Sequence, residues 1–293
     1  MAQLKYSVIV DTLASFGLDI WEQPHEVLGL IKNAGYDGID LTAEPDRIEI
    51  GRYREIAEIA RSMGLEIAAL LGAWATWHAG EARDLASTDD VARRYAIGYA
   101  RKCTDLAVDL NVSVYEICCC PAEPKYPVHD VPLPTVRQNF VQSAREISRY
   151  AGERGVRVAM EPVNRFEGYA GFMNSVVDAV GVADEVGQEN LGVMVDFFHA
   201  NIEDVSVADA IRRAERRLML IHLADSNRQM PGMGHIDFTG VIRELDEIGF
   251  DGYLSLDCLP ARPDPNTYLT HSIGYMRQLE EAVALEKQLS EMS

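Results

Sequence analysis

Short apolar runs alternate with longer segments of helical spacing from one end of the chain to the other. The apolar runs fall at 6–11 (YSVIVD), 38–43 (GIDLTA), 66–74 (EIAALLGAW), 113–119 (SVYEICC), 157–162 (RVAMEP), 191–199 (LGVMVDFFH), 218–225 (LMLIHLAD) and 253–258 (YLSLDC). They are apolar through most of their length rather than every second residue, the pattern of parallel strands covered on both faces. Between them, PHEVLGLIKNAG places Val27, Leu28 and Ile31 on one helical face, with Pro24 suited to a first turn and Gly35 to a stop. REIAEIARSMG and VIRELDEIG end the same way, at Gly64 and Gly249.

Strand, helix and strand joined by short links imply right-handed crossovers and a parallel sheet. A weak internal repeat agrees: NAGYDGIDLT (33–42) and EIGFDGYLSLD (247–257) share a glycine stop, an aromatic residue, Asp-Gly and a strand. No composition break or low-complexity stretch divides the chain. The prediction is a single (β/α)8 TIM barrel occupying residues 1–293 as one domain. The Pro-rich segment 120–135 is long for a compact domain, and a lid or substrate wall is expected there.

Composition narrows the partners. Lys and Arg number 27 against 46 Asp and Glu, a net charge of −19 that disfavours nucleic acid and anionic membranes. No apolar run approaches the roughly 20 residues of a membrane span. The N-terminus runs directly into a strand without a signal-peptide pattern, so a cytoplasmic location is expected. The five cysteines include three in a row, Cys118, Cys119 and Cys120. They lack metal-site spacing and read as reduced thiols at a strand end. The long final helical segment has more apolar surface than one barrel face needs, so a homo-oligomer is expected, with a partner subunit also open.

The candidate chemistry lies at the strand ends, where barrel enzymes carry their catalytic groups. The last four strands finish near Glu161, Asp196, His222 and Asp257. Singly, each could cap a helix or pair with a cation. Together they make a ligand set for one divalent ion, Mn²⁺, Mg²⁺ or Co²⁺ rather than structural zinc. Nearby stand Glu167, His199 one helical turn past Asp196, and Arg228 and His235 in the loop after the seventh strand. A Pro-Gly-x-Gly turn in that loop is expected to fold Arg228 back over the mouth. Trp74, Trp77 and His78 follow the third strand; their rings suit the apolar face of a sugar, the core or a subunit contact equally well.

EPVNRFEGY, VDFFHANIEDVS and HLADSNRQMPGMGHIDF resemble three motifs of the ketose 3-epimerase group, the D-tagatose and D-psicose 3-epimerases. That group belongs to the xylose-isomerase-like superfamily of TIM-barrel sugar isomerases and epimerases. The likeness is strong over the C-terminal half and rests mainly on strand–helix rhythm elsewhere. It implies that Glu161, Asp196, His222 and Asp257 bind a metal, usually Mn²⁺, and that Glu161 and Asp257 are the acid–base pair. Glu167, His199 and Arg228 would hold a sugar or keto-sugar, with Trp74 a further contact. The implied reaction removes a proton beside a ketone and returns it on the opposite face, through a cis-enediolate stabilised by the metal. One position departs from the group, which carries Glu where Asp257 stands. The shorter side chain reaches about 1.5 Å less, and misplacement on that scale lowers rates roughly 10²-fold. The EICCCPAEP segment also differs from the group's substrate wall.

A metal-dependent lyase or dehydratase on a keto-sugar, of the inosose dehydratase or 3-oxo-C-glycoside C–C lyase type, is the alternative. It needs a single base, for which His199 is a candidate. An abasic-site endonuclease shares the fold but needs extra histidines where this chain has Glu44, Trp74 and Glu116. A non-catalytic subunit is disfavoured by the intact ligand set.

Overall fold

The computed structural model describes residues 3–72, 83–121, 126–127 and 131–292. The strands are β1 (Lys5–Ile9), β2 (Gly38–Thr42), β3 (Glu66–Leu71), β4 (Val114–Cys118), β5 (Arg157–Glu161), β6 (Leu191–Asp196), β7 (Leu218–Leu223) and β8 (Tyr253–Leu256). All pair in parallel with their sequence neighbours, and β8 closes on β1 to complete an eight-stranded (β/α)8 barrel. The helices outside it are α1 (Pro24–Ala34), α2 (Ile50–Ser62), α3 (Asp90–Leu110), α4 (Leu133–Gly152), α5 (Val176–Val186), α6 (Phe197–Glu203), α7 (Val207–Ala214), α8 (Phe238–Ile248) and α9 (Pro265–Glu291).

Each helix lays its apolar stripe on the outer face of the strands. In α1 the residues with helical spacing, Val27, Leu28 and Ile31, are fully buried. Gly35 and Gly249 end α1 and α8 in the left-handed region, at φ 100° and 65°, so the repeated joint seen in the sequence is one backbone solution used twice. A different need fixes Gly192 in β6: a Cβ there would lie 2.3 Å from the Arg217 carbonyl oxygen.

Side chains two apart on a strand share a face, which layers the barrel interior. The lowest level is apolar, with Ala69, Val114, Ala159, Met194 and Leu220 packed together. The level above is polar and fully buried: Ser7, Asp40, Glu116 and Ser255, with the Ser7 and Ser255 hydroxyls 2.7 Å apart. Register then sets Cys118 beside Glu161 and Asp196 beside His222 at the C-terminal mouth.

Every strand ends before its apolar run does, and in two of them a local structure marks the break. The 6–11 run yields a strand only to Ile9, because Val10–Phe16 winds into a 3₁₀ segment. The 191–199 run breaks at Asp196, whose carboxylate caps α6 by accepting from the Phe198 and His199 N–H groups.

Candidate active site

A cavity of about 140 Å³ opens at the C-terminal mouth of the barrel. One side is polar, with Glu161, Glu167, His199, His222, Arg228 and Asp257. The other is apolar and includes Ile9, Leu71, Cys118, Cys120 and Val163. The cysteines are free and buried, in keeping with the reading of reduced thiols at a strand end.

Three of the expected ligands converge. Glu161, Asp196 and His222 each offer an atom such that all three lie within 4.8 Å of one another, and all are buried. Each comes from the last residues of β5, β6 or β7, so rigid strands rather than loops hold the trio. The division of labour at Asp196 is informative. Its Oδ1 is spent on capping α6, whereas its Oδ2 is buried without a hydrogen-bond partner. A buried carboxylate oxygen left bare is unfavourable unless a cation meets it. The donor set, two carboxylates and one imidazole, fits a hard or borderline divalent ion.

Asp257 stands apart from the trio. It follows β8 directly, and its Oδ2 accepts a hydrogen bond from Arg228 at 3.0 Å. Arg228 also approaches Glu167 (3.6 Å) and Asp196 (4.0 Å), and packs 5.0 Å over the Phe198 ring. Burial alone would raise the Asp257 carboxyl, but the neighbouring guanidinium outweighs it and holds the group below its usual range. Burial raises Glu161 well above a normal carboxylate, and Glu116 beside it adds to the effect. Asp196 is pushed up to about 6 by burial, partly offset by Arg228. His222 is lowered by burial, and His199 falls to about 4, again mainly by burial. Both imidazoles are therefore neutral near pH 7, the form able to ligate or accept protons.

The loop after β7 folds back as its turn chemistry predicts. One carboxylate organises it: Asp225 accepts from the N–H groups of Ser226, Gly232, Gly234 and Ile236. Gly234 is required for that approach, since a Cβ would lie 2.3 Å from Asp225 Oδ1. Arg228 itself sits at φ 58°. Beyond the strands, the Asp257 N–H donates to the Leu223 carbonyl and the Leu259 N–H to that of Arg228. His235 points away to Ser226 at the surface.

Asn164 is a second organiser. Its amide donates to Glu167 Oε1 (2.9 Å) and contacts His199 Nδ1 at 2.7 Å, which turns Nε2 toward Glu161 at 3.7 Å. Neither Asn164 nor Asp225 was singled out from sequence, although each lies within a quoted motif. Glu116 was given no role, yet it was the one charged residue in the run SVYEICC. It is fully buried, pushed up to about 8 by burial, and lies 3.4 Å from His222 Nε2. Trp74, Trp77 and His78 lie outside the described residues, as does much of the 120–135 segment. Glu44 is engaged elsewhere, in a bidentate pair with Arg83.

The family model described as Xylose isomerase-like TIM barrel matches residues 28–279. D-psicose 3-epimerase of Enterocloster bolteae is 33% identical over 251 residues, covering 84% of this chain and 74% of that protein. L-ribulose 3-epimerase of Methylomonas sp. is 29% identical, over 76% of this chain and 74% of that one. Among solved structures, D-psicose 3-epimerase of Clostridium cellulolyticum H10 superposes with a TM-score of 0.81 at 21% identity, covering 94% of this chain and 99% of that chain, a likeness of fold. A matched family model over most of the chain, relatives named as sugar epimerases and a closed barrel with its polar cavity at the C-terminal mouth agree: the chain belongs to the xylose isomerase-like TIM barrel family, in its sugar isomerase/epimerase class.

Proposed function

We propose that this protein is a divalent-metal-dependent ketose 3-epimerase, acting on a free ketose, with Glu161, Asp196 and His222 as the ligands held by the strands. The observation that carries this is the bare, buried Asp196 Oδ2 aimed into that trio. A divalent ion there would supply Lewis-acid stabilisation of negative charge on the substrate's carbonyl and adjacent hydroxyl oxygens, and Mn²⁺ is the expected ion, with Mg²⁺ or Co²⁺ able to substitute.

Glu161 and Asp257 are the two carboxylates assigned to carbon 3: one takes the proton, leaving an enediolate, and the other delivers a proton to the opposite face. The pair returns to its starting state when the carboxyl that took the proton releases it to solvent and the one that delivered takes one up. Glu167, His199 and Arg228 are assigned to the hydroxyls and carbonyl at carbons 1 and 2. Their hydrogen bonds to Asn164 and Asp257 favour fixed orientations over freely rotating ones. His199 with a depressed pKa suits a neutral hydrogen-bond partner.

The relatives are named as epimerases, which favours this reading over elimination by a lyase or dehydratase. The whole chain is read as one domain, located in the cytoplasm and assembling as a homo-oligomer. The test is to incubate the purified protein, with and without MnCl₂, with D-fructose and D-tagatose in deuterated water. C3 epimers one mass unit heavier than the substrate, from a single deuterium at carbon 3, support the reading. Loss of water from the sugar, or isomers carrying no solvent deuterium, would overturn it.

A further inference from the structure

Glu116 stands in the middle of β4, one level below Cys118, and faces the barrel interior. His222 stands on β7. In the ring β5 and β6 separate these strands, so the two side chains meet across the interior rather than along a ladder. Glu116 Oε2 lies 3.4 Å from His222 Nε2. The other ring nitrogen, Nδ1, faces Glu161 Oε1 at 3.8 Å and Asp196 Oδ2 at 3.9 Å. Both Glu116 oxygens and His222 Nε2 are fully buried and have no hydrogen-bond partner among the described residues.

A neutral imidazole carries one N–H, and in a dry interior that hydrogen needs an acceptor. If Nδ1 is to present a lone pair to an ion, the hydrogen must sit on Nε2, and the atom opposite is a Glu116 oxygen. An apolar residue would fill the same space without the desolvation that a buried carboxyl suffers. Retention of the acid is explained if it orients the ring. Carboxylate–histidine–metal arrangements of this kind set both ring orientation and ligand basicity.

We propose that Glu116 is the positioning residue for His222: it accepts the Nε2 hydrogen, fixes the ring's tautomer and rotation, and so leaves Nδ1 free to bind the ion. The proposal rests on the metal reading above, and the test separates the two. Protein labelled with ¹⁵N-histidine, without metal and near neutral pH, should show His222 as the Nε2–H tautomer, its signals assigned by their loss in His222→Asn. Calorimetric titration with MnCl₂ should give a Kd about 10- to 100-fold weaker for Glu116→Ala than for wild type. Glu116→Gln, whose amide oxygen still accepts, should restore it to within about threefold. Asp40→Asn, a buried acid of the same level, should leave the Kd unchanged. An Nδ1–H or doubly protonated His222 ring, or a Glu116→Ala Kd equal to wild type, overturns the proposal. If wild type takes up no Mn²⁺, the metal reading fails, and the ring spectrum still decides the role of Glu116.

Discussion

Arg228 donates to Asp257 at the barrel mouth at 3.0 Å, so the last acidic residue of the expected ligand set has a cation of the chain itself as its partner. A guanidinium beside a buried carboxylate both neutralises it and fixes its direction. Arg228→Ala should therefore lower kcat/KM by roughly 10- to 10²-fold under saturating Mn²⁺, the scale of a charge-assisted hydrogen bond. Arg228→Lys should restore little, because ammonium cannot span Asp257 and Glu167 in a planar fork. Steady-state kinetics on a ketose turned over by wild type checks both.

Asp196 has two separable duties. Asp196→Asn keeps an oxygen for the α6 cap and should leave Tm nearly unchanged in metal-free protein, while weakening Mn²⁺ binding at least tenfold. Asp196→Ala loses both, with about 0.5–2 kcal/mol of stability going with the cap. Thermal denaturation without metal, paired with Mn²⁺ titration, distinguishes the two variants. In wild type, chelation should abolish epimerisation and added Mn²⁺ should restore it.

Removing the Asp225 carboxylate unsupports four N–H groups of the loop that carries Arg228. Asp225→Ala should raise KM about tenfold or more and lower kcat as well, since the positioning of a contact on the order of 1 Å matters to rate. The Mn²⁺ Kd should stay within about twofold of wild type, because the trio is held by strands. A parallel loss of Mn²⁺ affinity in this variant would contradict that separation.

Burial pushes Asp40 up to about 7, with the Ser7 and Ser255 hydroxyls opposing the shift. A carboxyl whose folded pKa is raised contributes stability below its unfolded pKa and loses it as pH climbs through the folded value. The window therefore runs from the ordinary carboxylate range up to about 7. Asp40→Asn should gain Tm relative to wild type on the order of a few °C at about pH 8, and gain little or lose at about pH 4. Calorimetric scans of metal-free protein at the two pH values decide it.

The strand–helix alternation was legible because parallel strands are apolar throughout and their covering helices show one stripe, as in β6 and α1. Boundaries were less so. Phe197, Phe198 and His199 extend the apolar run past Asp196, and only the capping role of that carboxylate reveals the break. Glu161, Asp196 and His222 could be placed together because a strand's last residue has a known position at the mouth. Asp257 shares that placement, yet its rotamer depends on Arg228, which arrives from a loop whose path is set by Asp225. Composition and spacing do not encode such a three-body arrangement. Glu116 was visible as a charge inside an apolar run, but its partner His222 lies 106 positions away in the chain and three strands around the ring.

The backbone bonds that tie Asp257 to Leu223 and Leu259 to Arg228 make the ends of β7 and β8 one joined piece. The two sites therefore move as one unit: in this chain, lengthening the acid at 257 by one methylene would push it against the guanidinium at 228 unless the loop after β7 shifted with it. An engineer exchanging the loop after β7 between family members would need to carry the residue after β8 with it.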